Sequence, residues 1–247
     1  MKREVIGALL IAMATVWGAD AQAQQHPYTW TGLYLGANAG YAWGEIDITM
    51  TPGGLWSTEP VSPVGSHRAR ENGFTGGIQF GYNQQIGNAV LGIEVDVNSL
   101  HLEGSRNTGL LAPGLISPYI VSDSFKSHWL ATLRPRVGAV FDQTLVYVTG
   151  GLAIGAFDFA QSLSFPTIPS TASGSVSGTR VGWTIGGGLE RMVAGNWSMK
   201  LEYLYVDFGD LGFSTVLPPP VAGIYTQEHE ARLTTHIARI GLNYKFR

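Results

Sequence analysis

Nine charged side chains stand at one phase of short alternating segments. They are Glu94, Asp96, Arg134, Arg136, Glu190, Lys200, Glu202, Arg239 and Lys245. Charge is scarce in this chain, at 13% of 247 residues, so four acids and five bases sharing a phase suggest a common task. Lining a watered path, they would select or gate ions. Packed together, they would neutralise one another and fill a closed space. Histidine offers a second chemistry, because imidazole ligates metals and haem iron. His26, His67, His101, His128, His229 and His236 contain no His-Glu-x-x-His spacing. No metal site is read from them, and ordinary polar surface is the plain reading. A nucleophile is harder to find. No Gly-x-Ser-x-Gly elbow occurs, Thr235-His236 has no serine beside it, and Glu228 and Glu230 fall in a link between segments. No catalytic set, and so no enzyme, is expected. The absence of cysteine removes thiolate metal sites and disulfides. No cofactor is expected, and a formal charge of −3 gives no basic footprint for nucleic acid.

The elements that must position these charges have period two. Leu33, Leu35, Ala37, Ala39, Tyr41 and Trp43 alternate with Tyr34, Gly36, Asn38, Gly40 and Ala42. A strand sends successive side chains to opposite faces, so this segment has one apolar face and one small or polar face. Seven further segments repeat the pattern, near 74–83, 91–98, 129–141, 146–155, 181–190, 197–205 and 238–246. The nine charges fall on the polar face. Short links lie at 84–88, 142–144 and 194–196. Long ones at 49–72, 103–126, 158–179 and 209–232 hold most of the prolines, including Pro218-Pro219-Pro220. Short and long links in alternation describe an up-and-down sheet with every long loop at one end, as in a transmembrane barrel.

The same alternation could serve a soluble barrel with its faces exchanged. Glycine and the aromatics decide between them. Many of the 33 glycines share the charged face, where a narrow interior needs small residues; on a watered surface they would only cost entropy. Tyr41, Trp43, Tyr82, Trp129, Phe141, Trp197, Tyr203, Tyr205, Tyr244 and Phe246 crowd the ends of the apolar face, matching the two interfacial girdles of a membrane barrel. The fold class is therefore all-β: an eight-stranded antiparallel up-and-down transmembrane barrel with four long extracellular loops. Eight strands leave an interior just wide enough for side chains, which favours a charge-paired plug over an ion path.

The start of the chain reads as an address. Met1-Lys2-Arg3 is positive, 5–16 is mostly apolar, and Ala21-Gln22-Ala23 is a small-x-small cleavage site. Residues 1–23 are expected to be a secretory signal peptide and 24–247 the barrel domain.

Several stretches resemble the small outer-membrane β-barrel proteins of alphaproteobacteria, described as porin-family, opacity-like or immunogenic outer-membrane proteins. They are Trp30-Thr31-Gly32-Leu33-Tyr34-Leu35-Gly36, Gly76-Gly77-Ile78-Gln79-Phe80-Gly81-Tyr82-Asn83, Tyr147-Val148-Thr149-Gly150-Gly151, Trp183-Thr184-Ile185-Gly186-Gly187-Gly188-Leu189-Glu190, Lys200-Leu201-Glu202-Tyr203 and Arg239-Ile240-Gly241-Leu242-Asn243-Tyr244-Lys245-Phe246. The resemblance implies a place in the outer membrane and a structural role in the envelope. It also implies loops available for adhesion or antigenic contact with a host or surface ligand. A narrow porin-like channel or a haemin-binding receptor is the alternative. The expected partners are outer-membrane lipid and lipopolysaccharide, and the assembly machinery reading Ile240, Leu242, Tyr244 and Phe246. Two departures stand out: Arg247 follows the final aromatic, and Pro135 sits where such proteins often carry glycine, which predicts a local bulge.

Overall fold

The computed structural model describes residues 28–54, 67–111, 119–166, 170–216 and 225–246. The expected signal peptide, His26, the triple proline and Arg247 lie outside the described residues. Eight strands follow in chain order: β1 (Gly32–Gly54), β2 (His67–Ile86), β3 (Ala89–Leu111), β4 (Tyr119–Phe141), β5 (Thr144–Phe165), β6 (Ser170–Ala194), β7 (Trp197–Val216) and β8 (Tyr225–Lys245). Each pairs antiparallel with its neighbour, and β8 closes on β1 from Tyr34↔Lys245 to Gly54↔Tyr225. Every seam is paired through the apolar belt, the condition for a sheet to cross lipid; beyond it the β2–β3 ladder ends at Thr75↔Leu100 and the β6–β7 ladder at Trp183↔Asp207.

Three two-residue turns join β2–β3, β4–β5 and β6–β7 at one end. Each contains a residue with positive φ: Gly87 at 60°, Asp142 at 57° and Gly195 at 53°. Tight hairpins favour this twist, and glycine and aspartate tolerate it.

The expected long loops are corrected. The strands run for 20 to 25 residues, where about 9–11 tilted residues cross a bilayer. Most of 49–72, 103–126, 158–179 and 209–232 continues the hairpins, and only 55–66, 112–118, 167–169 and 217–224 fall outside the described residues. The reason lies in a change of facing. On β3, Leu91, Ile93, Val95 and Val97 point outward while Glu94, Asp96 and Asn98 point in. One step further Leu100 and Leu102 point in, and Ser99, His101 and Glu103 point out. The strand keeps its phase, but polarity exchanges faces. On β5, Phe157 and Phe159 are likewise buried inside while Asp158 points out. A search for apolar-out strands stops where this exchange begins.

The expected bulge at Pro135 is corrected as well. Pro135 pairs with Ile93 on β3, and the β4–β5 register is the same on both sides of it, Leu133↔Leu152 and Arg136↔Thr149. Proline lacks one donor, and the ladder omits two pairs there rather than gaining a residue. The Thr149 hydroxyl donates to the Pro135 carbonyl at 2.9 Å. Irregularities in β4 pairing lie higher, between Ser127 and Trp129 toward β5 and opposite the 99–102 and 107–110 steps of β3.

Candidate functional site in the barrel lumen

Inward phase brings eight of the nine charges together. Glu94, Asp96, Arg134, Arg136, Glu190, Lys200, Glu202 and Arg239 are each no more than 3% exposed. Strand register sets Glu94 opposite Arg134, Glu190 opposite Lys200, and Glu202 opposite Arg239, and the first and last of these pairs are in contact. Arg134 Nη2 lies 2.6 Å from Glu94 and 2.7 Å from Asp96. Arg239 donates through Nε to Glu202 at 2.7 Å.

Other contacts cross the lumen. Lys200 on β7 reaches Glu94 on β3 at 2.9 Å. Arg239 on β8 reaches Asp96 on β3 at 3.1 Å, and Arg136 on β4 reaches Glu190 on β6 at 3.1 Å. Opposite walls are therefore tied by direct ion pairs. Four acids balance four bases, and buried charges need such pairing and hydrogen bonding to persist.

The polar neighbours were not singled out from sequence, although they share the phase. Tyr34 donates to Glu94 and Tyr147 to Glu202, both at 2.7 Å. The Arg136 guanidinium lies over both rings, 4.7 Å from the Tyr34 centroid and 5.2 Å from that of Tyr147. Each ring occupies the space of a glycine directly opposite on the next strand, Gly81 for Tyr34 and Gly188 for Tyr147. A Cβ on Gly81 would collide with the Tyr34 hydroxyl, and one on Gly188 would meet the Tyr147 hydroxyl at 2.7 Å. Below, Glu190 accepts from Asn243 at 2.7 Å and from Ser198 at 2.5 Å, and Gln79 donates to Asn243 at 2.5 Å.

Lys245 is the correction to the expected network. It is half-buried at the turn end, where its ammonium donates to the Thr29 carbonyl at 2.5 Å and lies 4.4 Å over the Tyr28 ring. Tyr28 in turn packs edge-on against Trp30 at 5.2 Å. Trp30 is buried with Val90, Leu145, Tyr147 and Met192, and its backbone N–H donates to Gln85 at 2.8 Å. The segment preceding β1 thus closes the mouth on the turn side. Above the charges, a second apolar cluster fills the other end. It includes Leu100, Leu102, Phe125, Leu130, Phe157, Phe208 and Leu233.

The ten girdle aromatics point outward. Tyr82, Phe141, Trp197, Tyr244 and Phe246 stand toward the turn end, and Tyr41, Trp43, Trp129, Tyr203 and Tyr205 toward the other. Phe74 and Trp183 join the second group. Ile240, Leu242, Tyr244 and Phe246 line one outward stripe of β8 and its end. His101, His128 and His236 also face outward; the backbone sets His67 opposite Ile48 and His229 opposite Met50. Among the described residues no group of three or more histidine or acidic side chains could hold a metal ion.

A closed barrel with an apolar outer belt, two aromatic bands and a charged interior is the architecture of a protein that lives in an outer membrane. The family model for the outer membrane protein beta-barrel domain matches residues 7–246. The chain belongs to that family. The 31 kDa outer-membrane immunogenic protein of Brucella melitensis is 35% identical over 230 residues, covering 92% of this chain and 88% of that protein. The 25 kDa outer-membrane immunogenic protein of Brucella abortus is 27% identical, covering 98% and 96%. A 22 kDa outer membrane protein of Rhizobium leguminosarum is 29% identical over 73% of this chain and 65% of its own. Among solved structures, OprG from Pseudomonas aeruginosa aligns with a TM-score of 0.49 at 13% identity, covering 88% of this chain and 97% of that one. This family member resides in the outer membrane, as its relatives' names state of them.

Proposed function

We propose that this outer-membrane barrel is a sealed structural element of the envelope whose projecting hairpins present a surface for adhesion or antigenic contact. The observation that carries the reading is the set of ion pairs spanning the lumen from β3 to β7, β3 to β8 and β4 to β6. A conducting path would have to displace buried, neutralised charges, and apolar clusters lie on either side of them. The strands running beyond the membrane belt support the second part. They form a projection built on the barrel itself, and exposed positions on a rigid scaffold are where recognition concentrates. The names of the Brucella relatives, immunogenic outer-membrane proteins, agree with antigenic exposure.

Planar-bilayer recording of the refolded protein tests the seal. No stable channel is expected, and a steady ohmic conductance would overturn the reading in favour of a narrow porin. Binding of antibody or host cells to intact bacteria, compared with a strain whose hairpins are trimmed to the belt, tests the surface role. Haemin titration separates the receptor alternative, which requires an absorbance shift that disappears on replacing His67 and His229.

A further inference from the structure

The upper aromatic band is lopsided. On β3, β4 and β5 the outward apolar belt ends on Val97, Trp129 and Ala156, with one ring among them. On β6, β7, β8 and β1 five rings form a continuous chain. Trp183 contacts Tyr205 with centroids 5.4 Å apart, Tyr205 contacts His236 at 5.2 Å, and His236 stacks on Trp43 at 5.7 Å with planes 10° apart. Tyr203 closes the group, 6.2 Å from Trp43 and 6.1 Å from His236. A band that only anchored the barrel at an interface would need no such asymmetry, since anchoring acts on every strand alike.

Two polar features sit inside this chain of rings. The first is His236. Its Nδ1 lies 2.6 Å from the Tyr203 hydroxyl. When that hydroxyl donates, the imidazole proton sits on Nε2, leaving a donor at the level of the lipid headgroups. The second is Asp207. It stands at outward phase beside Trp183 yet is 1% exposed, covered by Arg232, whose Nη2 donates to it at 2.7 Å. The Gly209 backbone N–H donates to the same carboxylate at 2.8 Å. Arg232 and the Gly209 N–H thus hold a carboxylate in a fixed position beside the rings, at the top of the belt. The Arg232 side chain remains 57% exposed. Arg70 and Glu45 form another pair nearby on β2 and β1, at 2.7 Å.

We infer that this face, from Trp183 to Trp43, binds the saccharide head of the glycolipid in the surrounding outer leaflet. A sugar ring presents aliphatic C–H groups to an aromatic face and hydroxyls to planar polar groups at its rim. Here the rings supply the first surface, while His236, Arg232 and Asp207 supply the second. The cations of the patch are already paired, so hydroxyl recognition is favoured over capture of phosphate. The height is decisive for the occupant. The patch lies at the top of the apolar belt, where the first sugars of an outer-leaflet glycolipid begin and where a soluble glycan would meet acyl chains on one side.

The test uses the full-length mature protein refolded in detergent. It is titrated with lipid A bearing its inner-core sugars, with lipid A alone and with phosphatidylethanolamine, and bound lipid is read by native mass spectrometry. Core-bearing lipid should bind best. Trp43→Leu and His236→Leu should each weaken that binding ~tenfold, the scale of one strong contact. Trp129→Leu, on the opposite wall, should leave it unchanged. Heat-modifiable gel mobility checks that each variant is folded, and Tyr203→Phe, which keeps the ring and removes only the hydroxyl, serves if His236→Leu does not assemble. Equal binding of lipid A with and without core sugars would overturn the inference. So would an equal loss in Trp129→Leu, or wild-type binding no better than to phosphatidylethanolamine. Each of these results is independent of whether the lumen conducts.

Discussion

The lower and upper sections of this barrel use one backbone and opposite chemistry. In the membrane section, Val95 and Val97 face lipid while Glu94 and Asp96 face the lumen; above it, Leu100 and Leu102 face the lumen while His101 and Glu103 face water. The hydrogen-bonded ladder closes the lower section and continues upward along six of the eight seams, stopping at Thr75↔Leu100 between β2 and β3 and at Trp183↔Asp207 between β6 and β7, so the exchange of polarity comes from the surroundings. Lipid rewards apolar side chains outside and leaves the interior to be satisfied by polar groups. Water reverses the preference, and the upper section becomes the inside-out counterpart of the lower, with a dry core like that of a soluble protein. Strand phase persists across a membrane boundary while the meaning of each phase does not.

The largest effect is expected in the membrane section. Replacing Arg134 by Met removes the cation that holds Glu94 and Asp96 and approaches Glu202 at 3.3 Å. Loss of one partner from a buried ion pair costs about 3–5 kcal/mol. Because Lys200 and Arg239 also contact these acids, the barrel should assemble poorly rather than not at all. Reduced heat-modifiable folded fraction and a lower urea midpoint in vesicles are expected. A midpoint equal to wild type would show that the charges are ornamental filling.

Next in size is the upper core. Phe157 packs against Phe208 with centroids 4.6 Å apart and against Phe125 at 5.9 Å. Phe157→Ala should cost about 3–5 kcal/mol locally, as for a buried aromatic. If the two sections are energetically separate, the loss falls on the projection alone. Protease added outside should then cut the hairpins while the membrane section keeps its fast gel mobility. Loss of that mobility would show one cooperative unit instead of two environments.

A matched pair sharpens the boundary. Val95 and His101 share the outward phase of β3. Val95→Arg places a charge in the apolar belt and should cost about 2–4 kcal/mol. His101→Arg, three outward positions along, should change stability within about 0.5 kcal/mol, as an exposed substitution does. Unfolding of both variants in the same vesicles gives the difference directly. Equal penalties would mean that the belt extends higher than Val97.

The same boundary governed what could be read in the sequence. Inside the belt, alternation at β1, β3 and β8 disclosed both faces, and eight lumen charges followed from phase alone. Lys245 shares that phase but stands at the last residue of β8, where the lumen opens and its ammonium turns to Thr29. Phase says which face a residue takes, not whether a wall still stands opposite. Tyr34 and Tyr147 were hidden because an aromatic at lumen phase looks out of place until the glycine facing it on the next strand is known. Beyond the belt the signal changed sign: around Phe157-Asp158-Phe159 the alternation is as regular as before, but an expectation of apolar residues outside takes it for a loop. Trp30 escaped for a different reason, since it belongs to no strand and is buried only because the chain folds back over the lumen mouth.

The smallest effect is expected at the watered surface itself. Arg70 and Glu45 lie 2.7 Å apart on the outer face, with side-chain exposures of 74% and 27%. Their geometry resembles that of Arg134 and Glu94 at 2.6 Å, so a difference in worth must come from solvent rather than distance. Exposed pairs pay side-chain entropy and are screened, and contribute at most about 1 kcal/mol. Arg70→Gln should therefore shift the urea midpoint barely at all, and the residual shift should vanish in high salt. The corresponding Arg134→Gln penalty should persist, because salt does not reach a sealed lumen. Equal salt sensitivity for the two variants would place ions, and hence water, among the central charges, and would undo the distinction between the sections at its root.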